Sequence, residues 1–81
     1  MTTKIEFYSL LRDLVGASEL ELSLPDGATV EALLAELYAQ HPKLADWDGR
    51  LLLAADLDYV ERSHAIQPGE VISIMPPVQG G

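Results

Sequence analysis

The residues best suited to carry chemistry are the last six of the 81-residue chain, "PPVQGG", Pro76 to Gly81. Glycine adds no side chain to a core and loses the most backbone freedom on ordering, so folding alone explains Gly80-Gly81 poorly. Without Cβ atoms, the two residues are slim enough to thread a narrow channel that any larger residue would block. At the tip stands a carboxylate. If an activating enzyme converted it to a mixed anhydride, the Gly81 acyl carbon would be the least hindered electrophile in the chain. Pro76-Pro77 stiffens the stem by holding φ and favouring extended backbone. Val78 and Gln79 follow the last strand-like stretch, where neither has an obvious internal partner. The competing explanation is a frayed end, since termini commonly fray.

Conventional chemical groups are sparse elsewhere. His41 falls at the end of a helical pattern, where the helix dipole favours an imidazolium, and His64 lies in polar "ERSHAI". Two histidines far apart in a chain without cysteine point to surface or structural roles, so no metal site is expected. Ser9, Ser18, Ser23, Ser63 and Ser73 lack a nucleophile-elbow context. The glycines form neither a dinucleotide fingerprint nor a phosphate loop. Asp56 and Asp58 are the only closely paired carboxylates in an apolar setting. They could share one side of a strand, but a polar turn explains them more simply.

The elements that must position the tail follow from hydrophobic spacing. "KIEFYSL" alternates Ile5, Phe7 and Ser9 against Glu6, Tyr8 and Leu10, which predicts a strand that turns irregular at its end. "SLLRDLVG" predicts a short helix stopped by Gly16. "ELELSL" puts Leu20, Leu22 and Leu24 on one side of a second strand, closed by the turn "PDG". "TVEALLAELYAQH" predicts the main helix. Thr29 is its N-cap, Val30, Leu33, Leu34, Leu37 and Tyr38 form its apolar stripe, and Pro42 stops it. "KLADWDG" reads as a loop with a turn at Asp48-Gly49. "RLLLAADLDYV" contains a further extended stretch interrupted at Asp56-Leu57-Asp58, "QPGE" is a turn, and "VISIM" is the last strand before Pro76 and Pro77 end the ladder.

This order predicts an α+β fold with one main helix against a mixed sheet of four to five strands. The first and last strands hold the most β-branched residues and are expected to pair in parallel at the centre, the helix supplying the crossover. That arrangement is a β-grasp, with residues 1–75 as the domain and residues 76–81 as an extended tail.

Composition narrows the partners. Thirteen acidic residues against five basic ones give a formal charge of −8. Nucleic acid and anionic membranes both require a basic face, so neither is an expected partner. The charge serves either solubility or an acidic docking face for basic partners. No apolar run approaches the roughly 20 residues of a membrane span, and the start lacks a signal-peptide layout. A soluble cytoplasmic protein is expected.

The chain resembles the small, sulfur-carrying subunits of molybdopterin synthase, which are ubiquitin-like. The resemblance is carried by "YSLLRDLVG", by "TVEALLAEL" and above all by "QPGEVISIMPPVQGG", with its terminal P-P-V-x-G-G. Asp56 stands where members of that family often carry Asn. The resemblance implies that a ubiquitin-activating-enzyme-like adenylyltransferase uses ATP to convert Gly81 to an acyl-adenylate. A sulfur donor protein then turns it into a thiocarboxylate. Pro76, Pro77, Val78, Gln79 and Gly80 are implied to enter the large synthase subunit, where sulfur passes to cyclic pyranopterin monophosphate. It further implies a heterotetramer with that subunit, no stably bound cofactor, and catalytic groups on the partner, leaving this chain a cosubstrate and not an enzyme by itself. The same activated glycine would serve a ubiquitin-like protein modifier or a thiamine-pathway sulfur carrier, and a plain interaction domain with an idle tail is the remaining alternative.

Overall fold

The computed structural model describes residues 1–77. β1 (Thr2–Phe7) buries Thr3, Ile5 and Phe7 on one side, as its alternation requires. β2 (Glu19–Ser23) lies antiparallel to it, with Ile5 opposite Leu20. β5 (Val71–Met75) pairs with the other edge of β1 in parallel, with Ile5 opposite Ile72 and Phe7 opposite Ile74. β3 (Leu52–Ala55) runs antiparallel to β5, and the two-residue β4 (Asp58–Tyr59) folds back on β3. The five-stranded order is β2-β1-β5-β3-β4. The expected central parallel pair, the mixed sheet and the β-grasp architecture are all present.

α1 (Leu10–Val15) ends at Gly16, whose φ of 84° takes the left-handed cap while its N–H closes on the Arg12 carbonyl at 2.8 Å. Glycine adopts that conformation without a Cβ clash. α2 (Val30–Gln40) is the crossover helix. Val30, Leu33, Leu34 and Leu37 are buried in one cluster with Ile5, Phe7, Leu53, Ile72 and Ile74. Burial of each such side chain contributes about 1.5–3 kcal/mol. The helix start is closed by three acceptors. Thr29 Oγ1 accepts from the Ala32 N–H at 3.2 Å, and the carbonyls of His64 and Arg62 accept from Val30 and Glu31 at 3.0 and 2.9 Å. Donors that a helix leaves unpaired are thereby satisfied.

Two expectations need correction. The segment "KLADWDG", expected as a loop, lies within a nine-residue 3₁₀ segment, Pro42–Arg50. Pro42 starts it, and Leu44 and Trp47, three apart, both face the core, which is the spacing a three-residue turn brings into line. The alternation of the first strand also stops earlier, at Phe7. Ser9 turns the chain, so Leu11 enters the core and Leu10 is left partly exposed.

An ionic cluster ties three parts of the fold together. The Arg62 guanidinium donates to Asp48 Oδ1 at 2.8 Å, to the Asp48 carbonyl and to Glu31 Oε2 at 3.1 Å, and the Tyr38 hydroxyl donates to Asp48 Oδ1 at 2.6 Å. Burial and the Asp48 carboxylate push the Tyr38 hydroxyl up. Asp48 is held below the usual carboxylate range by Tyr38 and by Arg62. Burial pulls Arg62 down, but its hydrogen bonds to Glu31 and Asp48 outweigh that and raise it.

Candidate functional site

β5 delivers the chain to the tail, and its alternation decides what surrounds the exit. Ile72 and Ile74 point into the core, which leaves Val71, Ser73 and Met75 on the outer face of the sheet. Register places Ser73 between Glu6 of β1 and Ala54 of β3, and Ala54 opposite Tyr59 of β4. Tyr8, Ala54, Asp56, Leu57, Tyr59, Ser73 and Met75 line one groove there. Ala54 and Ser73 are small and nearly covered, so they form its floor. Its walls carry exposed apolar surface, with Leu57 98% and Tyr59 74% accessible. Isolated exposed apolar residues are ordinary, but large ones grouped around one concavity beside a chain exit make it a candidate contact surface.

The hairpin tip is held from both sides. Asp56 has φ of 52° and occupies the first of the two turn positions between the paired Ala55 and Asp58. Its N–H donates to the Val71 carbonyl at 2.8 Å, and its Oδ1 accepts from the Val71 N–H at 3.0 Å. The side chain thus stands in for a ladder carbonyl and extends the β3–β5 pairing by one position. A carboxylate oxygen fills this acceptor role as an amide oxygen would. Asp56 and Asp58 act in a turn, not as a catalytic pair.

Across the sheet the outer face changes character. Lys4 and Glu6 of β1 and Glu19 and Glu21 of β2 make its other half charged and mainly acidic. Lys4 Nζ meets Glu19 at 3.0 Å, and that contact raises the ammonium pKa. The Tyr8 hydroxyl donates to Glu6 Oε1 at 3.2 Å where the two halves meet.

Pro76 and Pro77 are half-buried and follow Met75 directly, so the stem starts at the groove. Val78, Gln79, Gly80 and Gly81 lie outside the described residues. The histidines are structural. His41 caps α2, its N–H reaching the Leu37 carbonyl at 2.7 Å, and His64 Nε2 meets Glu70 Oε1 at 2.9 Å. Glu70 also accepts from the Gln67 N–H at 2.8 Å, and this bond together with His64 holds its carboxyl below the usual range. Among the described residues, no three His, Asp or Glu side chains converge as metal ligands, and no helix is long and apolar enough to cross a membrane. Sequence reasoning missed the groove. Its one sequence signal was Leu57, an apolar residue at a turn tip between two aspartates.

Comparison with known proteins places these features. The sequence profile of the ThiS family matches residues 5–81. The molybdopterin synthase sulfur carrier subunit of Escherichia coli K12 is 38% identical over 80 residues, spanning 96% of this chain and 98% of its own. The subunit of the same name from Chlamydomonas reinhardtii is 32% identical over 83 residues and spans both chains fully. Among solved structures, the putative molybdopterin converting factor subunit 1 from Pyrococcus furiosus superposes with a TM-score of 0.86 at 29% identity, covering 96% of this chain and 99% of that one. SAMP1 from Haloferax volcanii reaches the same TM-score at 21% identity over the whole of both chains, a likeness of fold. The chain belongs to the ThiS family.

Proposed function

We propose that this chain is the sulfur carrier subunit of a cytoplasmic molybdopterin synthase. The observation that carries the reading is full-length similarity to curated sulfur carrier subunits in a chain ending Pro-Pro-Val-Gln-Gly-Gly. The Gly81 carboxylate attacks the α-phosphorus of ATP in the activating enzyme, and pyrophosphate leaves. A sulfide-level sulfur from the donor protein then attacks the acyl carbon. AMP departs, and a thiocarboxylate remains. In the large subunit, sulfur passes to cyclic pyranopterin monophosphate, and water restores the Gly81 carboxylate.

The groove beside Pro76-Pro77 supports docking of the large subunit. It supplies apolar contact next to the stem, while Pro76, Pro77, Val78, Gln79 and Gly80 carry Gly81 into the partner. The chain contributes the acyl group and its delivery; the partner contributes the groups that act on the pterin.

Intact-mass measurement tests the chemistry. After incubation with the adenylyltransferase, ATP and a sulfur donor, Gly81 is expected to gain the mass of one sulfur less one oxygen. A chain lacking Gly81 should gain nothing and transfer no sulfur. Lysine conjugates without thiocarboxylate would identify a protein modifier instead. Sulfur passed to a thiazole precursor but not to the pterin would identify a thiamine-pathway carrier.

A further inference from the structure

Only two non-glycine residues among those described have positive φ: Ser9, at 57°, and Asp56, at 52°. They are 47 positions apart in sequence, yet each is bonded to a wall of the same groove: Ser9 follows Tyr8, and Asp56 precedes Leu57. Such backbone is uncommon outside glycine and persists only where the surroundings over-determine it. Both sites meet that condition. Around Ser9, the Tyr8 N–H reaches the Ile74 carbonyl at 3.3 Å, and the Arg12 N–H reaches the Ser9 carbonyl at 3.1 Å. Around Asp56, the reciprocal pair with Val71 closes the turn.

The two side chains differ in what they supply: Asp56 accepts from the Val71 N–H, whereas Ser9 caps nothing. Ser9, with ψ of −135°, occupies a region that glycine populates readily, and its side chain makes no capping hydrogen bond. In a two-residue hairpin with positive φ at its first position, glycine is the usual occupant. A glycine at Ser9 would relieve the strain but widen the range of positions open to Tyr8, and a glycine at Asp56 would also give up the Val71 bond and loosen Leu57.

We infer that Ser9 and Asp56 are positioning residues that preorganise the two walls of the groove for the partner that receives the tail. The inference deepens the carrier reading and rests on it. The walls held this way are presented in their bound arrangement before encounter, so less side-chain and loop freedom is lost on docking. The strain lies where the contact is made, and the fold tolerates reduced stability there in return for a tighter complex.

The test uses the full chain, its purified cognate large subunit, calorimetric binding and thermal melting of Ser9→Gly, Asp56→Gly and Asp56→Asn. Ser9→Gly is expected to melt at the same temperature as the parent or higher, yet bind about three- to tenfold more weakly. Asp56→Gly should weaken binding similarly, whereas Asp56→Asn keeps the acceptor, tolerates left-handed backbone and should bind within about twofold of the parent. A purely structural role would make melting temperature and affinity fall together. A lowered melting temperature for Ser9→Gly, or glycine variants that bind as tightly as the parent, overturns the inference while leaving the carrier reading intact. Failure of the parent chain itself to bind the large subunit overturns both.

Discussion

Tyr59→Thr isolates the contribution of the groove to partner binding. Tyr59 lies on β4, paired with Ala54, and is 74% accessible. An aromatic side chain buries about 150–250 Å², so covering the accessible three quarters removes roughly 110–190 Å² from water. At about 25 cal/mol per Å² the ceiling is roughly 3–5 kcal/mol. Ordering the side chain and desolvating its hydroxyl reduce this, leaving about 2 kcal/mol, or roughly 30-fold in Kd. Threonine keeps β-branched strand propensity, and the lost surface is mostly outside the core, so the melting temperature should stay within about 3 °C of the parent. Titration of the large subunit with each chain, together with a thermal melt, separates the two quantities. Unchanged affinity would refute the groove as a docking surface. A large fall in melting temperature would show that Tyr59 serves the fold.

Three further predictions concern the charged groups. Arg62→Ala removes the donor that joins α2, the 3₁₀ segment and the approach to β5; with part of the cluster exposed, it should cost about 2 kcal/mol, lowering the melting temperature by roughly 8–16 °C, and a loss below about 0.5 kcal/mol would refute the latch. Asp48 and Glu70 have depressed carboxyl pKa values in the folded state, so their stabilisation is whole above the ordinary carboxylate range near pH 4 and is lost as pH falls through the folded values. Melting profiles of Asp48→Asn and Glu70→Gln should therefore show a shallower acid limb than the parent, and an unaltered limb would refute these pairings. Finally, if the formal charge of −8 steers association with basic partners, the on-rate measured by stopped flow should fall at least about tenfold as salt rises from about 0.01 to about 1 M; a salt-independent rate would assign the charge to solubility alone.

What could be read from the sequence depended on whether the signal was local. α2 was legible because Thr29, the spacing of Val30, Leu33, Leu34 and Leu37, and Pro42 all mark the same element. The central parallel pair was legible from β-branched residues in the first and last strands. The 3₁₀ segment was not, because Leu44 and Trp47 amount to a pattern only when α2 and α1 provide something to pack against. The groove was hidden for a different reason. Tyr8, Leu57, Tyr59 and Met75 come from three separate stretches, and only the placement of β5 between β1 and β3 gathers them. Nothing about serine announced positive φ at Ser9. Asp56 was noticed as half of a carboxylate pair, and its action is to close a turn.

The division of the outer face explains how so small a chain can serve as a delivery device. Seven of the described residues line the groove, whereas a standard stable interface uses about 20–30 residues on each side. Docking through the groove alone would therefore be weak. On the carrier reading, a tail inserted into the partner adds contact without enlarging the folded domain, and it does so at the atom where the chemistry would occur. If they meet a basic partner, the acidic strands beside the groove would act at longer range, favouring encounter more than they strengthen the final complex. On the carrier reading, the chain meets an activating enzyme and a large subunit in turn and must leave each. A modest groove, a charge that speeds encounter and a tail that engages only inside the right channel satisfy both demands, since none of them alone holds the complex together.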